Sequence, residues 1–160
     1  MARMVVLFAL CVLPALVNAN DAGNPFTVIG RVYCDTCRTG FETDATPGIP
    51  DAVVRIECRE SEGNMNTAYT NEGVTDATGI FKITVNRDCG DEMCDVVLVK
   101  SPLADCAEPD PERNRARVIL TRSNGLISNI RYCNALGFLR NEPINGCTKI
   151  LEKYNDPDSE

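Results

Sequence analysis

The residues with the most chemical reach are cysteines. Cys34-Asp-Thr-Cys37 lies within Ile29-Gly-Arg-Val-Tyr-Cys-Asp-Thr-Cys-Arg-Thr-Gly40. A C-x-x-C pair can be a redox-active dithiol, half of a zinc site, or two ends of a disulfide framework. The 160-residue chain has nine cysteines and no histidine. Without histidine, Ser-His-Asp and Cys-His nucleophilic sites are excluded, as is any zinc site with an imidazole ligand. A four-thiolate zinc site would need Cys34 and Cys37 together with Cys89 and Cys94. A thioredoxin-type site lowers the attacking thiol's pKa at a helix N-terminus. Here the motif follows a β-type run and leads into Thr39-Gly40, with no helical pattern behind it.

Carboxylates are the second reactive group: Glu57, Glu60, Glu62, Asp91, Glu92 and Asp95. Glycoside hydrolysis needs two of them across an enclosed, usually aromatic-lined cleft. Five Phe, four Tyr and no Trp leave little sugar-stacking surface, so a solvated acidic face is the expectation. Asp88, Asp91, Glu92 and Asp95 lack EF-hand spacing. Gly73 and Gly79 are isolated turn glycines, not a phosphate loop. No cofactor and no catalytic activity are expected. Asn145-Gly-Cys147 is the rare Asn-x-Cys sequon, which a bonded Cys147 would disable.

The compartment decides between the cysteine readings. Arg3, an apolar run of about 14 residues from Met4 to Val17, and Val17-Asn-Ala19 have the layout of a secretory leader cleaved after Ala19. The run is shorter than the roughly 20 residues of a spanning helix, so membrane insertion is not expected. The protein should reach the extracellular space. Cys11 leaves with the leader, and the remaining eight cysteines, Cys34, Cys37, Cys58, Cys89, Cys94, Cys106, Cys133 and Cys147, read as four disulfides. They allow about a hundred pairings, and the sequence chooses none. The formal net charge is −7, one unit more negative without Arg3. An acidic surface disfavours nucleic acids and anionic membranes.

The elements that must position these residues are short and β-rich. Phe26–Tyr33 and Ala52–Cys58 alternate apolar and polar residues, the second placing Ala52, Val54, Ile56 and Cys58 on one face. Ile80–Val85 and Arg117–Thr121 are β-branched, and Asp95–Lys100 is a run suited to burial on both faces. Asn66–Thr70 and Gly125–Arg131 are weaker candidates. Six or seven strands at such spacing predict a β-sandwich or barrel. Asp76-Ala-Thr-Gly79 is a turn in which Asp76 can cap and Gly79 can take positive φ. Phe81 should then point inward. Ala107–Arg113 reads as a proline-rich acidic loop and 155–160 as a mobile acidic tail after one domain spanning 20–154. No helix-period segment is longer than the short stretch around Thr148–Tyr154, which the sequence leaves open between helix and loop.

These residues also resemble a known family. Gly30-Arg-Val-Tyr-Cys-Asp-Thr-Cys-Arg38 is similar to the signature of the Ole e I pollen-allergen family of secreted plant proteins. Cys94-Asp-Val-Val-Leu-Val-Lys-Ser-Pro-Leu-Ala-Asp-Cys106 and Asn134-Ala-Leu-Gly-Phe-Leu-Arg140, followed by Cys147, extend the resemblance along the chain. It implies a compact, all-β, antiparallel seven-stranded barrel or sandwich stapled by disulfides, without known catalysis. It also implies a role in pollen-tube development or extracellular signalling, and allergenicity. The partner implied is a cell-surface receptor or a cell-wall component. The family's bridges, carried onto this chain, are Cys34–Cys106, Cys37–Cys147 and Cys58–Cys94. Cys89 and Cys133 are extra, and are expected to form a fourth bridge with each other, exchange of Cys89 with Cys94 being the alternative. The competing readings are a cell-wall structural protein, against which nine prolines without a repeat speak, and a secreted inhibitor using the loop Ala107–Arg113. That loop and Asp88–Asp95 are the candidate contact regions.

Overall fold

The computed structural model describes residues 24–60 and 66–155. The expected leader, Glu62 and the tail beyond Asn155 lie outside the described residues. Within them the chain forms nine strands and one helix: β1 (Phe26–Asp35), β2 (Val53–Arg59), β3 (Thr67–Val74), β4 (Ile80–Val85), β5 (Met93–Lys100), β6 (Glu108–Pro109), β7 (Arg115–Val118), β8 (Ile130–Tyr132), β9 (Leu136–Leu139) and α1 (Cys147–Asn155). None of the described helices is long and apolar enough to cross a membrane.

The strands make two sheets, ordered β4-β1-β9-β6 with β8 also on β1, and β3-β2-β5-β7. The architecture is a sandwich and not a closed barrel. The strand count exceeds seven because β6 and β9, short segments with no sequence alternation, add to the seven expected runs, of which Gly125–Arg131 overlaps β8. The layout is also not wholly antiparallel. One edge of β1 pairs antiparallel with β4 over Phe26–Arg31. Its other edge takes two parallel partners in succession, β8 against Thr27–Ile29 and β9 against Val32–Asp35.

Alternation explains the core. In β2, Val54, Ile56 and Cys58 are buried while Val53, Arg55, Glu57 and Arg59 are less so. These inward positions meet Phe26, Val28, Val32, Phe81, Ile83, Val85, Leu136 and Phe138 of the other sheet in one apolar cluster. In β5 the run Cys94–Val97 is buried on both faces, whereas Val99 and Lys100 are exposed. The turn before β4 forms as its residues dictate. Asp76 Oδ1 accepts from the Thr78 and Ile80 N–H groups at 2.8 and 3.1 Å, Gly79 has φ +82°, and Phe81 is fully buried. This turn crosses Gly48 so closely that a Cβ there would lie 2.1 Å from the Thr78 carbonyl oxygen.

Candidate functional site: the cysteine hub and its surroundings

The C-x-x-C motif is the end of β1 and the turn after it. Its cysteines are not bonded to each other. Cys34 is bonded to Cys106, Cys37 to Cys147, and Cys58 to Cys94. Cys34 stands opposite Phe138 in the β1–β9 register, so its bridge ties the loop after β5 onto the first sheet. Cys37 reaches the first residue of α1. Cys58 and Cys94 are direct neighbours across β2 and β5.

What aims the two cysteines of the motif apart is Asp35, the residue between them that the sequence reading passed over. Its side chain is fully buried. Oδ1 accepts from the Cys37 N–H at 3.1 Å, and Oδ2 accepts from Thr39 and Gly40 N–H at 2.6 and 2.7 Å. A carboxylate between turn donors is a strong, charge-assisted anchor. The Asp35 carbonyl in turn accepts from Arg140 N–H at 3.1 Å, and the Thr36 carbonyl from Ile144 N–H at 3.0 Å. The next residue, Arg38, holds φ 55° and donates to Glu108 at 2.9 Å and to the Arg140 carbonyl at 2.6 Å. An Asp followed by a short Thr- and Gly-bearing loop is the available sequence signal for such a cap.

The expected fourth bridge, Cys89–Cys133, is not formed: both cysteines are free thiols. The topology separates them. Cys133 lies between β8 and β9 along β1, its N–H donating to the Ile29 carbonyl at 3.1 Å, with its sulfur over Gly30. Burial pushes its thiol up to about 11. Cys89 sits in the loop between β4 and β5, held by Cys89 N–H to the Leu120 carbonyl at 2.7 Å. Its sulfur is 3.6 Å from Cys58 Sγ. Pairing the two leftovers used cysteine parity alone, and parity carries no information about which sheet a thiol faces. The four-thiolate zinc set is not assembled either, since Cys34 and Cys37 are bonded elsewhere.

Of the candidate carboxylates, Glu57, Glu92 and Asp95 are paired with arginines. Glu57 and Asp95 are register neighbours. Asp95 accepts from Arg115 at 3.0 Å and Arg117 at 2.7 Å, and Glu57 is flanked by Arg55, Arg59 and Arg115 at 3.3 to 3.7 Å. Glu92 is paired with Arg87. Asp88 accepts from the Gly90 N–H, which holds its carboxyl below the usual range. Such pairs form ion networks on a sheet face and a turn, not an acid and base across a cleft. The Ala107–Arg113 segment is equally tied down. Asp110 N–H donates to the Gly137 carbonyl, Gly137 N–H to the Arg113 carbonyl, and Arg113 Nε to the Gly40 carbonyl at 3.0 Å.

The described surface carries an apolar ridge. Ile119, Leu126, Ile130 and Tyr132 are exposed beside a groove of about 420 Å³, and Ile127 on the same segment is 99 % exposed. Arg131 builds this ridge from beneath. It is buried, and its guanidinium donates to the carbonyls of Ile119 at 3.0 Å and Thr121 at 3.3 Å, and also to Ser128. It stands 4.9 Å over the Phe26 ring.

A disulfide-stapled β-sandwich with a pinned hub and an exposed apolar ridge is the class of protein that these features define. Residues 24–155 match the family model for Ole e 1-like pollen proteins. The chain is 45 % identical over 149 residues to the protein DOWNSTREAM OF FLC of Arabidopsis thaliana, covering 93 % of this chain and 90 % of that one. It is 43 % identical over 136 residues to pollen allergen Phl p 11 of Phleum pratense, covering 84 % and 94 %. It is 38 % identical over 154 residues to the anther-specific protein LAT52 of Solanum lycopersicum, covering 96 % and 95 %. Among solved structures, the major plantain pollen allergen Pla l 1 superimposes with a TM-score of 0.68 at 26 % identity, covering 77 % of this chain and 99 % of that one. The chain belongs to the Ole e 1-like pollen protein family.

Proposed function

We propose that this is a secreted, non-enzymatic protein of pollen that acts in the extracellular space by binding, in pollen-tube development or signalling. The partner class is a cell-surface receptor or a cell-wall component. The observation that carries the reading is the apolar ridge of Ile119, Leu126, Ile127, Ile130 and Tyr132, presented on a fold whose other apolar residues largely fill a core. Exposed apolar side chains rimmed by charge, here Arg117, mark interaction surfaces. The names of pollen and anther relatives support the tissue, and three disulfides support an oxidising compartment. The absence of histidine supports a non-catalytic role. Allergenicity is proposed on the same relatives.

The test is a pull-down from pollen and pistil extracts, with tube growth measured in parallel. The baits are the folded protein, its reduced form and the double variant Leu126→Asp/Ile127→Asp. A partner retained only by the folded wild type, and tube growth that responds to it alone, is the expected result. Equal retention by all three baits, or by none, would remove the support for a binding role at the ridge. A secreted inhibitor is the second reading, favoured by the pinned backbone of Ala107–Arg113. Protease assays with Glu112→Ala and Arg113→Ala separate it from the first.

A further inference from the structure

The sulfur atoms of Cys58, Cys89 and Cys94 all lie within 4.8 Å of one another. Two of them share a disulfide and the third is a free, buried thiol. At 3.6 Å the Cys89 S–H donates to Cys58 Sγ, which carries no proton of its own. A thiol in contact with a disulfide sulfur is within reach of thiol–disulfide exchange, in which a thiolate attacks one sulfur along the line of the bond, so the Cys89 side chain must first turn into line with Cys58–Cys94.

We propose that Cys58, Cys89 and Cys94 form an internal exchange centre in which the bridge moves between Cys58–Cys94 and Cys58–Cys89. Cys89 loses its proton, and its thiolate attacks Cys58 Sγ. A Cys58–Cys89 bond forms as the Cys58–Cys94 bond breaks. Cys94 leaves as a thiolate and takes up the proton that Cys89 gave to solvent. One disulfide and one thiol are present before and after, so no oxidant or reductant is consumed.

The surrounding structure tolerates both forms. The Cys58–Cys94 bridge spans strands already joined by a register of hydrogen-bonded neighbours from Val53 to Arg59, and β3 and β7 continue the sheet on either side. Losing the covalent link therefore leaves the β2–β5 ladder in place. The Cys89 backbone stays on the Leu120 carbonyl, so the exchange is carried by the Cys89 side chain, whose sulfur is 3.6 Å from Cys58 Sγ. After exchange, β2 is bound to the β4–β5 connection and Cys94 holds the free thiol. The groups facing Cys89 set the rate. Burial, then Glu92 and Asp88, push its thiol up, while Arg87 pulls it down, and the Tyr69 phenol adjoins it. The thiol form therefore dominates at neutral pH. Exchange should accelerate about tenfold per pH unit until the thiol ionises.

The test uses the full oxidised protein held at about pH 6 and about pH 9. It is quenched in acid, unfolded in guanidinium with N-ethylmaleimide, and mapped by mass spectrometry without reduction. The expected result is label on Cys89 and Cys133 at the lower pH. At the higher pH the Cys89 label should divide between Cys89 and Cys94 while Cys133 stays constant. Cys94 unlabelled at every pH and time would overturn the proposal. So would its labelling disappearing in Cys133→Ser, which would make Cys133 the attacking thiol. A Cys94→Ser variant provides a second reading. A Cys58–Cys89 bridge in the folded variant supports the exchange, and recovery of Cys58 and Cys89 as two free thiols refutes it.

Discussion

Replacing Asp35 by Asn changes one atom's identity and leaves the volume of the side chain almost unaltered, so any effect comes from hydrogen bonding. In the folded protein three N–H donors converge on the carboxylate, two of them on one oxygen. An amide has a single acceptor oxygen. With that oxygen turned toward Thr39 and Gly40, the amide NH2 faces the Cys37 N–H. Turned the other way, it faces two donors. The favourable orientation leaves one buried donor unpaired, at about 1–3 kcal/mol, and weakens two charge-assisted bonds to ordinary ones. The expected loss is about 3 kcal/mol. Urea unfolding of the oxidised protein, with a slope of about 2 kcal/mol/M, should show the midpoint about 1.5 M lower at unchanged slope. Asp76→Asn is the control. It caps its turn through comparable contacts but in solvent, where water replaces the lost acceptor, so its cost should be well below that of Asp35→Asn. An Asp35→Asn cost under about 0.5 kcal/mol, or one equal to that of Asp76→Asn, would refute the idea that this carboxylate holds the hub together.

Cys37→Ser should cost about 4–5 kcal/mol, since the bridge closes a separation of 110 residues. Limited proteolysis should then cut first near α1, leaving Cys34–Cys106 intact on non-reducing peptide maps. Gly48→Ala should cost about 3 kcal/mol or more by denaturant unfolding, because its Cβ meets backbone rather than a movable side chain. Stability should be level near neutrality and fall on both sides. Below about pH 4 it falls because Asp44, Asp76, Asp88 and Glu108 all have folded pKa values lowered by Lys153, Thr78, Gly90 and Arg38 respectively, so their contribution disappears as they protonate. Above pH 9 it falls because Cys133 and Tyr33 are held neutral by burial, up to about 11 and about 12, while the unfolded chain ionises them earlier. Thermal melts across pH 3 to about 11 test both arms; a stability still rising at the alkaline end would contradict the second.

The parts of the fold that were legible were those where alternation or a turn residue acts locally. β2 shows this in Val54, Ile56 and Cys58, and the Asp76–Gly79 turn shows it in one side chain and one positive φ. β9 was illegible as a strand because Leu136, Gly137, Phe138 and Leu139 are all buried. It lies between β1 and β6, so neither face alternates. Gly137 is there because Tyr33 packs where its Cβ would be, a contact across about a hundred residues of sequence that no window reveals. β8 has three residues and one parallel partner. The site followed the same division. The bridges of Cys34 and Cys37 came from the family signature around them. Asp35 acts locally, on the N–H groups of Cys37, Thr39 and Gly40, whereas Arg131 acts through the more distant carbonyls of Ile119 and Thr121, and the free state of Cys89 and Cys133 depends on which sheet each lies against.

The two parallel partners of β1 have a consequence for how the chain must be made. β1 is the first of the described strands to emerge from the ribosome, and β4 can cover one edge soon afterwards. The other edge has to wait for β8 and β9, which follow about a hundred residues later, and Cys37 has to wait for Cys147. A nascent chain therefore carries an open strand edge and unpaired thiols through nearly all of its synthesis. Long-range pairing of this kind is slow and aggregation-exposed. Synthesis must be nearly complete before the first sheet can close, so any chain that stops short of residue 130 keeps that edge bare.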